Sequence, residues 1–190
     1  MADDSAATFA GKRRIAVYGP SGSGKTTVAR QIGAALGLPV IELDALYHQP
    51  NWTPTPDDEF RAKVSRRLDE CADGWVCDGN YGMVRDLVLA RADAVVRLML
   101  PFRVVYPRLL WRTVSRAWRK QELWNGNRES WRLSFTSKDS ILLWGLTHWR
   151  AHFRNAERDL AAYGRHLPVV ELRSSREVRE LLAGLAAEPV

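Results

Sequence analysis

The sequence predicts an α/β fold, a parallel sheet with helices on both faces, and three observations carry that prediction. Five short apolar runs with β-branched residues are spaced along a chain of 190 residues. Amphipathic helical patterns fill the intervals between them, the alternation that builds crossover connections. A glycine-rich octapeptide, Gly19 to Thr26 (GPSGSGKT), joins the first apolar run to the first helical pattern. No repeat, low-complexity tract or linker divides the chain, so a single domain is expected over 13–190, behind a flexible tail at 1–12.

Residues 15–18 (IAVY) read as a buried strand, and Val28, Ile32 and Leu36 recur at helical spacing until Gly37 stops them. Residues 38–43 (LPVIEL) form the second strand, with Asp44 directly after it. Thr55, Pro56, Asp57 and Asp58 supply a cap, a first-turn proline and first-turn acids to a helix whose apolar face is Phe60, Val64 and Leu68. Trp75, Val76 and Cys77 make the third strand, closed by Asp78. The fourth is 94–100, ended by Pro101. In the helix that follows, Leu110, Val114 and Ala117 or Trp118 mark the packing face, while Arg108, Arg112, Arg116 and Lys120 form a basic stripe. A long helical pattern covers 138–163, and 167–172 is the fifth strand. Ser174 and Glu177 then fit a capping box for a last helix bearing Val178, Leu181, Leu182 and Leu185.

Hydrophobic residues at 46% and charged residues at 26% are the balance of a soluble globular protein, and no apolar run is long enough to span a bilayer. The opening dozen residues lack the apolar segment of a signal peptide, and Cys71 and Cys77 have neither disulfide-framework nor metal-ligand spacing. The expected location is cytoplasmic. Between Pro101 and Arg132 eight basic residues face two acidic ones, an excess equal to the +6 of the whole chain. A nucleic acid or a polyphosphate accounts for such a patch, and so does a solvated basic face. Trp111, Trp118 and Trp124 interleave with these arginines and fit either core packing or base stacking. His148 and His152 stand four apart with no third ligand beside them, so a zinc site is not expected.

The octapeptide is a P-loop in the context that gives it a mechanism. Gly19, Pro20, Ser21, Gly22, Ser23, Gly24, Lys25, Thr26 and Thr27 are the expected nucleotide-binding residues. Glycines let the backbone curl so that its N–H groups meet phosphate oxygens at the positive end of the helix. Lys25 reaches the outer phosphates, the Thr26 hydroxyl ligates Mg²⁺, and Asp78 at the end of the third strand is its metal partner. Asp44 reads as an acceptor contact, a metal contact or a general base, and equally as a turn or helix cap. Tyr47, His48, Asn51 and Trp52 then furnish an acceptor wall or a lid over the core.

The segments GPSGSGKT, IELDALYH, WVCDGNYG and VVELRSSREV together resemble adenylate-kinase-like P-loop proteins of the bacterial "topology modulation protein" or "AAA family ATPase" type. The resemblance implies a three-layer P-loop NTPase of nucleoside-monophosphate-kinase architecture: strand order 2-3-1-4-5, an acceptor-binding insertion at about 45–72 and an arginine-bearing lid at about 112–135. With the lid arginines Arg112, Arg116, Arg119 and Arg128 that it implies, the catalytic candidates are Lys25, Asp78 and, for a hydroxyl acceptor, Asp44 as base. Asp44, Tyr47, Trp52, Gly79, Asn80, Tyr81 and Arg85 become acceptor-binding candidates, and Arg173, Ser174 and Arg176 border the adenine. Where adenylate kinases continue Asp-Gly with Phe-Pro-Arg, this chain has Asn80-Tyr81-Gly82, which argues against AMP as acceptor. The leading expectation is an ATP- and Mg²⁺-dependent phosphotransferase for a small molecule; the alternative is an ATP-binding regulatory protein that contacts nucleic acid.

Overall fold

The computed structural model describes residues 8–119, 122–127 and 149–187. Its centre is a sheet of five parallel strands in the order β2-β3-β1-β4-β5. In chain order the strands are β1 (Arg14–Tyr18), β2 (Val40–Glu42), β3 (Trp75–Asp78), β4 (Ala94–Leu98) and β5 (Val169–Leu172). The helices are α1 (Lys25–Leu36), α2 (Leu43–Tyr47), α3 (Asp57–Glu70), α4 (Arg85–Arg91), α5 (Phe102–Arg119), α6 (Trp149–Tyr163) and α7 (Ser175–Ala187). The strand order is the one expected.

The period-two alternation of β1 sorts the core into two layers. Ala16 and Tyr18 face a cluster built with Phe60, Val64 and Leu68 of α3 and with Val88 and Leu89 of α4. Ile15 and Val17 face the opposite cluster, which contains Val28, Ala29 and Ile32 of α1 and Leu181 and Leu185 of α7. Strands covered on both faces by helices must be apolar throughout, and every residue of β4 is buried, Arg97 included. Arg97 is accommodated by an ion pair to Glu171 at 2.7 Å. α1 stops where Gly37 turns left-handed (φ 63) and hands its N–H to Gly33. The Ser174–Glu177 box is present: Ser174 Oγ accepts from the Glu177 amide at 3.1 Å, and the Glu177 carboxylate accepts from the Arg173 amide at 2.7 Å.

Several local expectations are revised. β2 ends at Glu42, so Leu43 belongs to α2 rather than to the strand, and Asp44 stands in the first turn of that helix. Thr55 does not cap α3; it is buried, and its hydroxyl donates to the Leu46 carbonyl at 3.0 Å, tying the turn before α3 back to α2. The helix instead starts behind Pro56, with Asp57, Asp58 and Glu59 in its first turn. The packed face of α5 is Val105, Leu109, Thr113 and Ala117, whereas Leu110 and Trp118 are exposed. Residues 8–11 form a turn that seats Phe9 in the core beside Ile15 and Val17, so the described end of the expected loose tail is packed. The helical pattern expected over 138–163 is described from Trp149 onward, and His148 lies outside the described residues. No helix among the described residues is long and apolar enough to cross a membrane.

Candidate active site

The carboxyl ends of β1, β2 and β3 open onto one cleft of about 1700 Å³, the position where open parallel sheets collect ligands. Its floor is the phosphate-binding loop. Gly22 (φ 86) and Gly24 (φ 93) carry the curl that L residues avoid, so Ser21 through Gly24 and the first turn of α1, Lys25 to Thr27, line the cleft. Lys25 is folded over this curl, its Nζ donating to the Pro20 carbonyl at 3.2 Å. Burial pulls its ammonium below the ordinary lysine range; Asp78 and Asp44 oppose that shift and Arg112 adds to it. A cation that desolvated is poised to gain from an incoming phosphate. Gly19 and Pro20 are buried and do not line the cleft.

Asp78 is the last residue of β3 and pairs in register with Val17. The Thr26 hydroxyl donates to its Oδ2 at 2.5 Å, while Oδ1 is buried with no hydrogen-bond partner among the described residues. Burial raises the Asp78 pKa above its ordinary value, against the pull of Lys25 and of the Thr26 hydroxyl. A buried carboxylate oxygen left without a partner, next to a hydroxyl at the foot of a phosphate-binding loop, is a donor set that suits Mg²⁺, a hard cation satisfied by one or two protein oxygens plus phosphates and water.

Opposite the loop stands a second wall. Asp44 accepts from the Tyr81 hydroxyl at 2.7 Å, and that hydroxyl lies 3.4 Å from His48 Nε2. The Tyr81 phenol is pushed far up by burial and by Asp44, so it stays protonated and donates. Burial keeps His48 below its ordinary pKa, with Asp44 acting the other way. Tyr47 packs on Tyr81 with ring centroids 4.6 Å apart, and His48 packs edge-on to Trp52 at 5.2 Å. Residues 122–127, the described remainder of the expected lid, are stitched to this wall. Asn125 donates to the His48 carbonyl at 2.6 Å, Asn127 to the Gln49 carbonyl at 2.9 Å, and the Trp124 indole to Glu42 at 2.9 Å.

The cleft therefore brings together Ser21 through Thr27, Asp44, Tyr47, Trp52, Gly79, Asn80 and Tyr81 with Asp78, Arg112 and Arg116. It does not include all the expected residues. Arg85 is a correction: it is 5% exposed, does not line the cleft, and forms an ion pair with Asp159 of α6. Arg119 is exposed outside the cleft at the end of α5. Arg128 lies outside the described residues. Arg173 and Arg176 turn away to Glu171 and Glu180, and Ser174 is spent on its cap; Ser175, Val178 and Arg179 line the cleft in their stead. Arg108 also lines it, with Nη2 donating to Ser175 Oγ at 3.0 Å. Its place in the Arg108-Arg112-Arg116 stripe was the available signal. The pairing of Trp124 with Glu42, 82 positions apart, had none.

Residues 15–68 match the model of the ATPase family associated with various cellular activities (AAA). A cytidylate kinase of Nitratidesulfovibrio vulgaris (strain DP4) is 35% identical over 57 residues, 30% of this chain and 25% of that protein. A bifunctional pantoate ligase/cytidylate kinase of Trichormus variabilis is 47% identical over 38 residues, 20% of this chain and 7% of that protein. The chain thus spans a quarter or less of the length of the curated relatives it matches. Over the whole fold it is similar to a gluconokinase from Sinorhizobium meliloti 1021, with 27% identity, a TM-score of 0.50, and coverage of 92% of this chain and 91% of that one.

Proposed function

We propose, for a chain whose fold and glycine-rich loop are those of the P-loop kinases, that it transfers the terminal phosphoryl group of ATP to a hydroxyl of a small molecule. The observation that carries this reading is the facing pair in one cleft: Lys25, Thr26 and Asp78 on the nucleotide side, Asp44 held by Tyr81 on the other. In this reading the loop amides and Lys25 bind the phosphates, and Ser175, Val178 and Arg179 border the base. Thr26 and Asp78 would hold Mg²⁺, which would neutralise charge on the phosphates. The acceptor oxygen attacks the terminal phosphorus, its proton passes to the Asp44 carboxylate, and ADP departs. Arg112 and Arg116, drawn to the same cleft, stabilise the charge on the transferred group.

The similarity to a gluconokinase supports a hydroxyl acceptor. The placement of the arginines bears on the nucleic-acid alternative. Arg108, Arg112 and Arg116 line the same cleft as the phosphate-binding loop, and a phosphate chain inside the cleft accounts for them. The test is acceptor-dependent ADP release across sugars, sugar acids, nucleosides and nucleotides, repeated with Asp44→Asn. Turnover is expected to vanish in that variant while ATP binding persists. Near-normal turnover would remove Asp44 as the base and with it the preference for a hydroxyl acceptor.

A further inference from the structure

Asn80 is the residue through which the turn after β3 grips the phosphate-binding loop. Its side-chain amide donates to the Gly19 carbonyl, and its Oδ1 accepts from the Gly19 amide at 3.5 Å. One side chain thus brackets both peptide groups of the first loop residue. Gly19 has little room to give, since a Cβ there would lie 2.8 Å from Leu98 Cβ and from Ser23 Oγ. Asn80 is itself held from below. Arg85 Nη2 donates to the Asn80 carbonyl at 3.0 Å, and the Arg85 guanidinium lies 5.4 Å from the centroid of the Tyr18 ring, on the residue that precedes Gly19. Arg85 is buried, and its charge is matched by Asp159, 74 positions later on α6. A buried guanidinium with its carboxylate fixed beside it is committed, and its fork geometry lets it serve a carboxylate and a carbonyl together.

We infer that Arg85 is a positioning residue for the phosphate-binding loop: pinned by Asp159, it fixes Asn80, and Asn80 sets the pose in which the loop leaves β1. The inference rests on the reading of that loop as the ATP site, and its test separates the two. The full chain and its variants are titrated with Mg²⁺ and the fluorescent N-methylanthraniloyl ester of ATP, well below each variant's melting midpoint. Asn80→Ala is expected to weaken binding about tenfold and Arg85→Met about fivefold, changes of the size that losing one or two hydrogen bonds produces. Because Arg85 acts through Asn80, the double variant should stay near the tenfold loss of Asn80→Ala instead of reaching the product of the two.

Arg85→Met strands Asp159, so Arg85→Lys is made as well. It keeps the charge but loses the fork, and it is expected to fold and to bind about threefold or more weakly, again without adding to Asn80→Ala. A merely structural role would lower melting temperatures and leave the titrations of folded protein alone. Unchanged affinity in the Arg85 or Asn80 variants, or losses that multiply, overturns the inference while leaving the ATP site standing. A wild-type protein that takes up no ATP analogue overturns the ATP reading and this inference together.

Discussion

One methyl group added at Gly22 tests whether α5 and the phosphate-binding loop are built as a unit. Gly22 has φ 86, a conformation that costs an L residue about 1–2 kcal/mol. A Cβ there would also lie 2.8 Å from Leu109 Cβ and 2.8 Å from the Val105 carbonyl oxygen. Neither contact is the free end of a flexible side chain, so α5 as a whole must back away, and overpacking of that kind costs roughly 1–3 kcal/mol more. Gly24 is the built-in control. Its φ is 93, yet a Cβ on it meets nothing within 4 Å among the described residues, so Gly24→Ala carries the backbone cost alone. Thermal or urea unfolding of the nucleotide-free protein should find Gly22→Ala less stable than Gly24→Ala by about 1–3 kcal/mol. For a chain of this size that is a melting difference of roughly 2–12 °C. Equal costs, or a larger one at Gly24, would mean that α5 does not bear on the loop. The placement of Arg108, Arg112 and Arg116 over the nucleotide side would then lose its structural basis.

Tyr81→Phe removes the hydroxyl that holds Asp44, so acceptor-dependent turnover should fall about tenfold while the affinity for ATP moves less than twofold; equal turnover would show that Asp44 needs no orienting partner. Asp78 carries a pH signature of unusual sign. Burial raises its folded-state pKa above 3.8, so the folded protein keeps a proton that the unfolded chain releases, and that stabilisation is lost as pH rises through the folded-state value. Asp78→Asn should therefore gain on the wild type, in the absence of nucleotide and Mg²⁺, as unfolding is followed from acid to neutral pH; a gap that is constant or shrinks contradicts the assignment. Asp86 has the opposite sign. Its hydrogen bonds to Arg61 pull the carboxyl below 3.8, so its contribution is present above that value and lost as pH falls through the folded-state pKa. Asp86→Asn should flatten the acid end of the stability profile, and an unchanged acid limb would show that the pair is solvent-screened to insignificance.

What the sequence discloses here is what lies within a few residues of itself. The loop from Gly19 to Thr26, the stop at Gly37 and the Ser174–Glu177 box are local devices whose partners sit next door in the chain, and each stands where the pattern put it. Asp78 was legible as a cleft residue beside Thr26 because the carboxyl end of a strand next to a phosphate-binding loop opens onto the ligand crevice. α5 shows where that kind of reading fails. Hydrophobicity favours Leu110 and Val114 over Thr113 and leaves Ala117 and Trp118 as alternatives, yet Thr113 and Ala117 are buried while Leu110 and Trp118 are exposed. Val105 and Leu109 stand against Gly22, and Thr113 and Ala117 follow Leu109 at four-residue steps, so contact with the loop decides which stripe faces inward. Arg85 fails for the same reason at longer range. Five residues after Asn80 it looks like an acceptor contact, but its counter-charge, Asp159, comes from a helix that sequence spacing does not bring near it. A buried arginine is disclosed only by the carboxylate that neutralises it, since an unpaired guanidinium would not remain in the core. The pair that moved Arg85 out of the acceptor site is thus the same pair that places it under the nucleotide loop.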